Sequence, residues 1–259
     1  MSLVATHTQA TPVITRYFRV FCIFVHTLLG LVIAALIFPL LNSSIKARLI
    51  QWWCGRLLAA FNLRVKIVGN PPHYSHKFSN NMLIANHVSW ADIHALNSVL
   101  PLRFIAKSEI KHWPIFGYLV RCANTLFIDR NKKHEAKRTA EVVTACLLTG
   151  DNIGLFPEGT TTDGTVLKPF KSSLIQAAIE AKSMIWPVAI RYIKENGEIN
   201  TAPAYAGETT LIDSMQQILR QKQPVIELHF LQAITAASFN DRRTLTLHIE
   251  GEIRQKLGL

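Results

Sequence analysis

The chain has 259 residues, of which 49% are apolar and only 17% are charged, and its mean hydropathy is positive at +0.19. This composition excludes an intrinsically disordered protein. The formal net charge of +11 indicates attraction to anions such as nucleic acid, an anionic lipid surface or a phosphorylated substrate. The four cysteines lie far apart with no Cys-x-x-Cys pair, which argues against a disulfide framework and against a zinc site.

An apolar run from Val20 to Leu41 is long enough for a helix to cross a bilayer core of about 30 Å, and His26 is its one strongly polar residue. Arginines precede the run and basic residues follow it. A buried core helix is the alternative. A cleaved signal peptide is disfavoured because the run exceeds the usual apolar region of about 7 to 15 residues. We therefore expect the run to associate with a membrane.

A second helical pattern, from Ile45 to Phe61, combines an apolar stripe with a basic margin and two tryptophans, Trp52 and Trp53. It suits a helix in the head-group layer, although a helix packed on a soluble core has the same pattern. Pro39 favours a turn between the two segments, so a membrane span and a re-entrant hairpin both stay open. We assign residues 1–63 to membrane-anchoring helices and residues 64–259 to a separate domain.

From residue 65 onward, short apolar runs alternate with helical patterns, which predicts an α/β fold with a mostly parallel sheet flanked by helices. The predicted strands are Val65–Val68, Met82–Ala85, Arg103–Ala106, Thr125–Ile128, Ile153–Phe156, Ile185–Ile190 and Val225–Phe230. The predicted helices are Ser89–Leu100, Pro114–Arg121, His134–Thr149, Ser172–Ala181, Thr209–Arg220 and Asp241–Leu257.

The second predicted strand leads into Asn-His-Val-Ser-Trp-Ala-Asp, where His87 precedes a helix start. Ser89 and Asp92 have the spacing of a capping box, which places Asp92 in the first helical turn. Folded back, Asp92 can accept a hydrogen bond from one ring nitrogen of His87 and leave the other nitrogen free as a base. A structural His-Asp pair has the same spacing. The rival, His94, is expected to face away from Asp92.

Two further strands end in polar residues at the same predicted sheet edge, where ligands bind in open α/β sheets. Arg130 follows Thr125–Ile128 and is a candidate anion clamp. Glu158, Gly159 and Thr160 follow the strand that ends at Phe156, and the glycine can bare backbone N–H groups toward a ligand. Taken singly, Arg130 is more typical of a surface ion pair, and Glu158 and Thr160 are typical of a turn.

These blocks, in this order, resemble the lysophospholipid acyltransferase family, of the 1-acyl-glycerol-3-phosphate acyltransferase type. The resemblance covers roughly residues 65 to 190. It rests on Asn86-His87-x4-Asp92, on Phe127-Ile128-Asp129-Arg130, on Phe156-Pro157-Glu158-Gly159-Thr160, on Ile185 to Val188 and on the segment containing Lys107.

The resemblance implies transfer of a fatty acyl group from acyl-CoA or acyl carrier protein to the free hydroxyl of a lysolipid, with no acyl-enzyme. His87 is then the general base and Asp92 its orienting partner. The implied substrate-binding residues are Arg130, Glu158, Gly159, Thr160, Lys107 and Lys171. Neither a metal nor a cofactor is implied, and residues 64–259 become the acyltransferase domain.

The expected acceptor is 1-acyl-glycerol-3-phosphate. Members that form phosphatidate commonly carry an arginine soon after Phe-Pro-Glu-Gly-Thr, whereas Thr161-Thr162-Asp163-Gly164 stands here, a pattern closer to members that acylate lyso-ornithine lipid. Lyso-ornithine lipid is therefore the second expected acceptor. The implied location is the bacterial inner membrane, with the catalytic domain on the cytosolic face.

Four other interpretations compete with this one. A thioesterase or lysophospholipase could use the same base to activate water, whereas an ester-forming enzyme must exclude water. A nucleic-acid binder is suggested by charge alone, and the chain has no nucleic-acid motif. A purely structural membrane protein does not explain the ordered polar blocks. A serine hydrolase using Ser89 is disfavoured because there is no Gly-x-Ser-x-Gly elbow.

Overall fold

The computed structural model describes residues 10–72, 80–128 and 135–259. Among these residues, eight strands form one sheet. The strands are β1 (Arg64–Val68), β2 (Asn81–Ala85), β3 (Arg103–Lys107), β4 (Leu126–Ile128), β5 (Ile153–Leu155), β6 (Met184–Ile193), β7 (Val225–Phe230) and β8 (Ile234–Thr235). Their order across the sheet is β1, β7, β6, β2, β5, β3 and β4, with β8 paired to β6.

Two helices precede the sheet and six α-helices lie between or after its strands in the described part of the chain. They are α1 (Val13–Val32), α2 (Ser43–Ala60), α3 (Ala91–Val99), α4 (Phe116–Cys122), α5 (Glu135–Leu148), α6 (Gln176–Glu180), α7 (Leu211–Arg220) and α8 (Arg242–Leu257). The six predicted helices after residue 65 are therefore present. The largest difference is α6, which begins at Gln176 instead of Ser172 because residues 173–175 form a turn.

The mostly parallel α/β sheet predicted from the sequence is confirmed. The neighbours β6, β2, β5, β3 and β4 run in one direction, so their carboxyl ends meet at one edge of the sheet. The pair β1 and β7 runs the opposite way, and β7 and β8 are antiparallel to β6. All seven predicted strands exist, and within the described residues the one strand that the sequence missed is β8, which is two residues long.

Each face of the sheet carries its own hydrophobic core. On β2, Leu83 and Ala85 pack into the core shared with α2, α3 and α7, whereas Met82 and Ile84 pack into the core shared with α5, α6 and α8. Because successive strand residues point to opposite faces, a strand covered on both sides must be apolar throughout. This explains why β2 is an unbroken apolar run from Met82 to Ala85.

The N-terminal segment folds back on itself as a helical hairpin. Helix α1 begins at Val13, before the apolar run. Just ahead of it, Thr11 donates hydrogen bonds from its N–H and its hydroxyl to the carbonyls of Arg220 and Gln221 (2.9 and 2.7 Å). It continues as a π turn and a 3-10 turn that contains Pro39. The Asn42 side chain then caps α2 by accepting the N–H of Ile45 at 3.0 Å.

A reciprocal contact joins the two helices of this hairpin. The His26 ring bonds the carbonyl of Trp53 at 3.0 Å, and the Trp53 indole N–H donates to the carbonyl of His26 at 3.3 Å. The two rings stack with centroids 5.0 Å apart. A side chain at Gly30 would collide with the Trp53 ring, since a Cβ atom there would lie 2.6 Å from its nitrogen. The small residue thus lets the helices approach closely.

Helix α1 turns a broad apolar face outward. Within the described residues, one helical stretch, Val13–Leu40, is long and apolar enough to cross a membrane, and only 17% of its most apolar window is buried. Its exposed large side chains include Ile14, Tyr17, Phe18, Phe21, Phe24, Leu28, Val32 and Leu36. Exposed apolar patches of this extent mark interaction surfaces.

Helix α2, in contrast, is part of the core of the sheet domain. Its residues Leu57 and Leu58, with Phe61 just after it, pack in the same cluster as the sheet residues Leu83 and Leu228. The proposed division at residue 63 therefore follows the chain but crosses a continuous hydrophobic core. The function of residues 1–63 as an anchor stays a prediction.

We expect Leu58→Ala to lower the free energy of unfolding by about 2 to 5 kcal/mol, because Leu58 is 1% exposed and its truncation leaves a cavity. The matched control is Leu148→Ala on α5, where the side chain is 66% exposed and the loss should stay within about 0.5 kcal/mol. Denaturant unfolding of the purified protein measures both. Equal stability of the two variants would show that α2 is not part of the core.

Candidate active site

His87 and Asp92 form a hydrogen-bonded pair at the carboxyl end of β2. The Nδ1 atom of His87 lies 2.9 Å from Oδ2 of Asp92. The Asp92 side chain is fully buried, and the His87 side chain is 16% exposed. No described residue forms a hydrogen bond with the other ring nitrogen, Nε2, so this atom is available to a substrate hydroxyl. The contact expected from the sequence is therefore present.

The capping box expected between Ser89 and Asp92 is only half formed. Oδ2 of Asp92 accepts the backbone N–H groups of Val88 and Ser89 at 2.7 and 2.9 Å. The Ser89 hydroxyl lies 3.5 Å from the N–H of Ala91 instead of capping Asp92, and α3 begins only at Ala91. The aspartate thus serves both as the helix-start acceptor and as the partner of His87.

An aromatic stack fixes the plane of the His87 ring. The Phe156 ring lies parallel to it with centroids 3.9 Å apart, and Phe104 stacks behind Phe156 at 5.6 Å. Because the ring is held between this stack and Asp92, its orientation is set before substrate arrives. Phe156 belongs to a motif block, but the sequence gave neither phenylalanine a role, since both belong to apolar strand patterns.

Glu158 is buried, with 3% exposure, directly behind His87. Its Oε1 accepts the backbone N–H of His87 at 2.7 Å, and its Oε2 accepts the backbone N–H of Lys168 at 2.9 Å. Burial raises the pKa of the Glu158 carboxyl, although both N–H donors favour the charged form and oppose that rise. The structure thus gives Glu158 a bracing position. The role toward a substrate hydroxyl or Arg130 stays a prediction.

The chain after Glu158 wraps over the backbone of His87. Gly159 has a left-handed φ of 74° and donates its N–H to the carbonyl of Phe156, which makes the tight turn. Thr160 is exposed. Farther on, the N–H of Thr162 donates to the carbonyl of His87 at 2.9 Å. Both backbone polar groups of His87 are therefore held by this loop and its glutamate.

The predicted basic residues are less closely tied to His87. Lys107 is the exposed last residue of β3, and Lys171 is exposed with its N–H donating to the carbonyl of Pro157 at 3.0 Å. Neither side chain contacts another described residue through a hydrogen bond. Arg130 lies outside the described residues. The head-group role of all three stays a prediction.

Asn86 links the histidine loop to β6. Its side-chain amide donates to the carbonyl of Ile190 at 3.0 Å, and its side-chain oxygen accepts the N–H of the same residue at 2.7 Å. The side chain therefore makes the two hydrogen bonds to β6 that the backbone of one further β2 residue would make. Asn86 belongs to the motif block, but its position gave no sign of this bridging role.

Two rival interpretations of this segment receive no support from its geometry. His94 contacts Cys54 of α2 (3.5 Å between Nδ1 and Sγ) and not Asp92, as expected, and burial lowers its pKa to about 4. Ser89 is fully buried, so its hydroxyl is not presented to a substrate. Among the described residues, no cluster of three or more His, Cys, Asp or Glu side chains could hold a metal ion.

Comparisons with known proteins found similar sequences and a similar fold. A family model described as Acyltransferase matches residues 67–191. The chain is 38% identical over 198 residues to a 1-acyl-sn-glycerol-3-phosphate acyltransferase of Neisseria gonorrhoeae, covering 76% of each chain. It is 33% identical over 215 residues to a lyso-ornithine lipid O-acyltransferase of Pseudomonas aeruginosa, covering 83% of this chain and 80% of that one.

A solved structure shares the fold. The crystal structure of the 1-acyl-sn-glycerophosphate acyltransferase PlsC from Thermotoga maritima superposes with a TM-score of 0.72. The match covers 95% of this chain and 94% of that chain at 18% identity. It therefore includes the N-terminal hairpin as well as the sheet.

We expect Glu158→Gln to lower the free energy of unfolding by about 1 to 3 kcal/mol, because an amide has one acceptor atom and leaves one buried backbone N–H unpaired. Denaturant unfolding measures the loss. The control is Glu198→Gln at an exposed turn, where the change should stay within about 0.5 kcal/mol. Wild-type stability of the Glu158 variant would rule out the bracing role.

Proposed function

Because the chain belongs to the acyltransferase family of the lysophosphatidate and lyso-ornithine lipid type, we propose that it moves a fatty acyl group from acyl-CoA or acyl carrier protein to the free hydroxyl of a lysolipid. The observation that carries this proposal is the His87–Asp92 pair, with Nε2 of His87 available at the carboxyl edge of the sheet. The leading acceptor is 1-acyl-glycerol-3-phosphate, which gives phosphatidate.

In the proposed reaction, Nε2 of His87 takes the proton of the acceptor hydroxyl as its oxygen attacks the thioester carbonyl. The imidazolium formed is stabilised by the carboxylate of Asp92. Collapse of the tetrahedral intermediate breaks the carbon–sulfur bond, and the proton passes from His87 to the leaving thiolate. No acyl-enzyme forms and the base is regenerated. Positioned proton transfer supplies about 10² to 10⁴-fold, so orientation of the two substrates must supply the remainder.

The acceptor head group is assigned to Arg130, Gly159, Thr160, Lys107 and Lys171. The exposed ammonium groups of the two lysines suit a phosphate or carboxylate, and the turn at Gly159 leaves its neighbour Thr160 exposed. Lyso-ornithine lipid is the second candidate. The relatives that carry that name, and the segment from Thr161 to Gly164 without an arginine, favour it.

We further propose that the protein is membrane-bound through α1. The outward face of α1 is apolar along its length, while its inward face packs on α2. An acceptor with one acyl chain lies in the membrane, and a cytosolic acyl donor requires the catalytic domain on the cytosolic face. In bacteria that membrane is the inner membrane.

The reaction is tested by thioester consumption with purified protein in detergent. Acyl-CoA is supplied alone, with 1-acyl-glycerol-3-phosphate, or with lyso-ornithine lipid. We expect consumption that needs one lysolipid and falls at least about 10²-fold in His87→Ala, because the base is removed. Arg243→Ala, at the exposed start of α8, is the control and should retain wild-type turnover.

The outcomes of this assay distinguish the acceptor, the class of reaction and the identity of the base. The lysolipid that supports turnover identifies the acceptor. Equal consumption without any acceptor would make the protein a thioesterase, and normal turnover by the His87 variant would remove His87 as the base.

Membrane binding is tested by replacing Phe18, Phe21 and Phe24 together with serine. All three are about 60% exposed on the outward face of α1, so the substitutions remove apolar surface without touching the core. We expect the triple variant to lose most of its co-sedimentation with phospholipid vesicles. The control replaces Val142, Leu148 and Ile212, which are exposed on α5 and α7, with serine. Unchanged sedimentation of the α1 variant, or equal loss in both, would move the anchor elsewhere.

A further inference from the structure

Asp92 has a second side-chain partner, which lies on another strand of the sheet. The hydroxyl of Tyr192, on β6, donates to Oδ1 of Asp92 at 2.7 Å. The other carboxylate oxygen, Oδ2, takes the bonds from His87, Val88 and Ser89. Both oxygens of this buried carboxylate are therefore occupied, one by the histidine and the helix start and one by the tyrosine.

The tyrosine can act only as a donor in this contact. An ionised carboxylate has no proton to give, so the hydrogen must come from the phenol. Burial and the negative charge of Asp92 raise the pKa of Tyr192 well above its ordinary value, which keeps the phenol protonated. Tyr192 is 2% exposed, so water does not replace it as the donor.

The hydrogen bonds that fix the histidine loop also position the strand that carries Tyr192. Asn86 clamps the backbone of Ile190, and Tyr192 stands two residues farther along β6, on the same face of the sheet. On the neighbouring strand its register partner is Ile226, which is apolar and fully buried. The polar surroundings of the phenol therefore come from the α3 side, where Asp92 lies.

We propose that Tyr192 is a positioning residue of the acyl transfer reaction: it holds the Asp92 carboxylate in the orientation that aligns His87. The proposal rests on the proposed function, since it assigns Tyr192 a role through the general base. Three titratable groups face Asp92. They are His87 from the loop after β2, Glu158 from the loop after β5 and Tyr192 from β6. Of these, only the tyrosine bonds Oδ1.

Removing the hydroxyl changes Asp92 in two ways. The carboxylate is free to rotate, so His87 is aligned in a smaller fraction of molecules and kcat falls. Its negative charge is also less dispersed, so the imidazolium form of His87 is bound more strongly. The imidazolium then gives up its proton only at higher pH, so the acid limb of the rate profile moves to higher pH.

The test is Tyr192→Phe in the full-length protein, with kcat and KM measured from pH 5 to 9 for acyl-CoA and the active lysolipid. We expect kcat to fall about 10- to 100-fold, the range that corresponds to one hydrogen bond to a charged group. KM for either substrate should change by less than about twofold, because Tyr192 does not contact substrate. The acid limb of kcat/KM should move up by about 0.5 to 1 pH unit.

Three further measurements separate positioning from a structural effect. Tyr118→Phe on α4 removes a hydroxyl whose hydrogen-bond partner is Cys122 and not Asp92, and it should change nothing. In an Asp92→Asn background, Tyr192→Phe should have little additional effect, because the two residues act as a unit. Incorporation of 3-fluorotyrosine at position 192 keeps the packing and strengthens the donor, so it should move the acid limb to lower pH.

A fall in kcat without any shift of the acid limb would mean that Tyr192 only supports the fold, and wild-type kinetics would remove its role. If Tyr192→Phe does not fold, the protein with 3-fluorotyrosine at position 192 provides the test. An acid limb at the wild-type pH in that protein would overturn the proposal. Failure of the proposed function has a different signature: thioester consumption by the wild-type protein would then need no lysolipid, or would persist in His87→Ala, whatever the tyrosine variants do.

Discussion

The buried carboxylate of Asp92 is the interaction on which the rest of the site depends. A charged carboxylate without partners in a protein interior is strongly unfavourable, so it must collect donors. Here the donors are two backbone N–H groups at the start of α3, the ring of His87 and the phenol of Tyr192. Each bond that satisfies the charge also fixes an element: the loop after β2, the first turn of α3, and β6.

His87 is held at three of its polar groups, which leaves one for chemistry. Glu158 accepts its N–H, Thr162 donates to its carbonyl, and Asp92 bonds Nδ1. Phe156 covers the face of the ring. A residue restrained in this way does not have to reorganise when a substrate hydroxyl approaches Nε2, and such preorganisation is what proton transfer to a positioned base requires.

More of the fold than of the candidate site could be predicted from the sequence. The central strands could be found because a strand buried on both faces must be apolar throughout, as Met82 to Ala85 are. Strand order is a long-range property, so the reversed direction of β1 and β7 gave no local signal. His87 and Asp92 were found because only four residues lie between them. Tyr192 lies 100 residues from Asp92, and its one local sign was a phenol in an apolar strand, which needs a buried partner.

Helix α3, which carries Asp92 in its first turn, also connects the active site to the N-terminal hairpin. His94 of α3 contacts the ring of Trp53 and the thiol of Cys54, and Trp53 is the residue that clasps His26 of α1. Close-packed side chains transmit strain, so these contacts link α1 to α3 mechanically through α2. In the proposed membrane-bound state, a surface fixed by α1 would therefore fix the position of His87 relative to it. An acceptor hydroxyl sits near the head-group level of a lipid, and a base held at a set position relative to the bilayer meets it without a search through the aqueous phase.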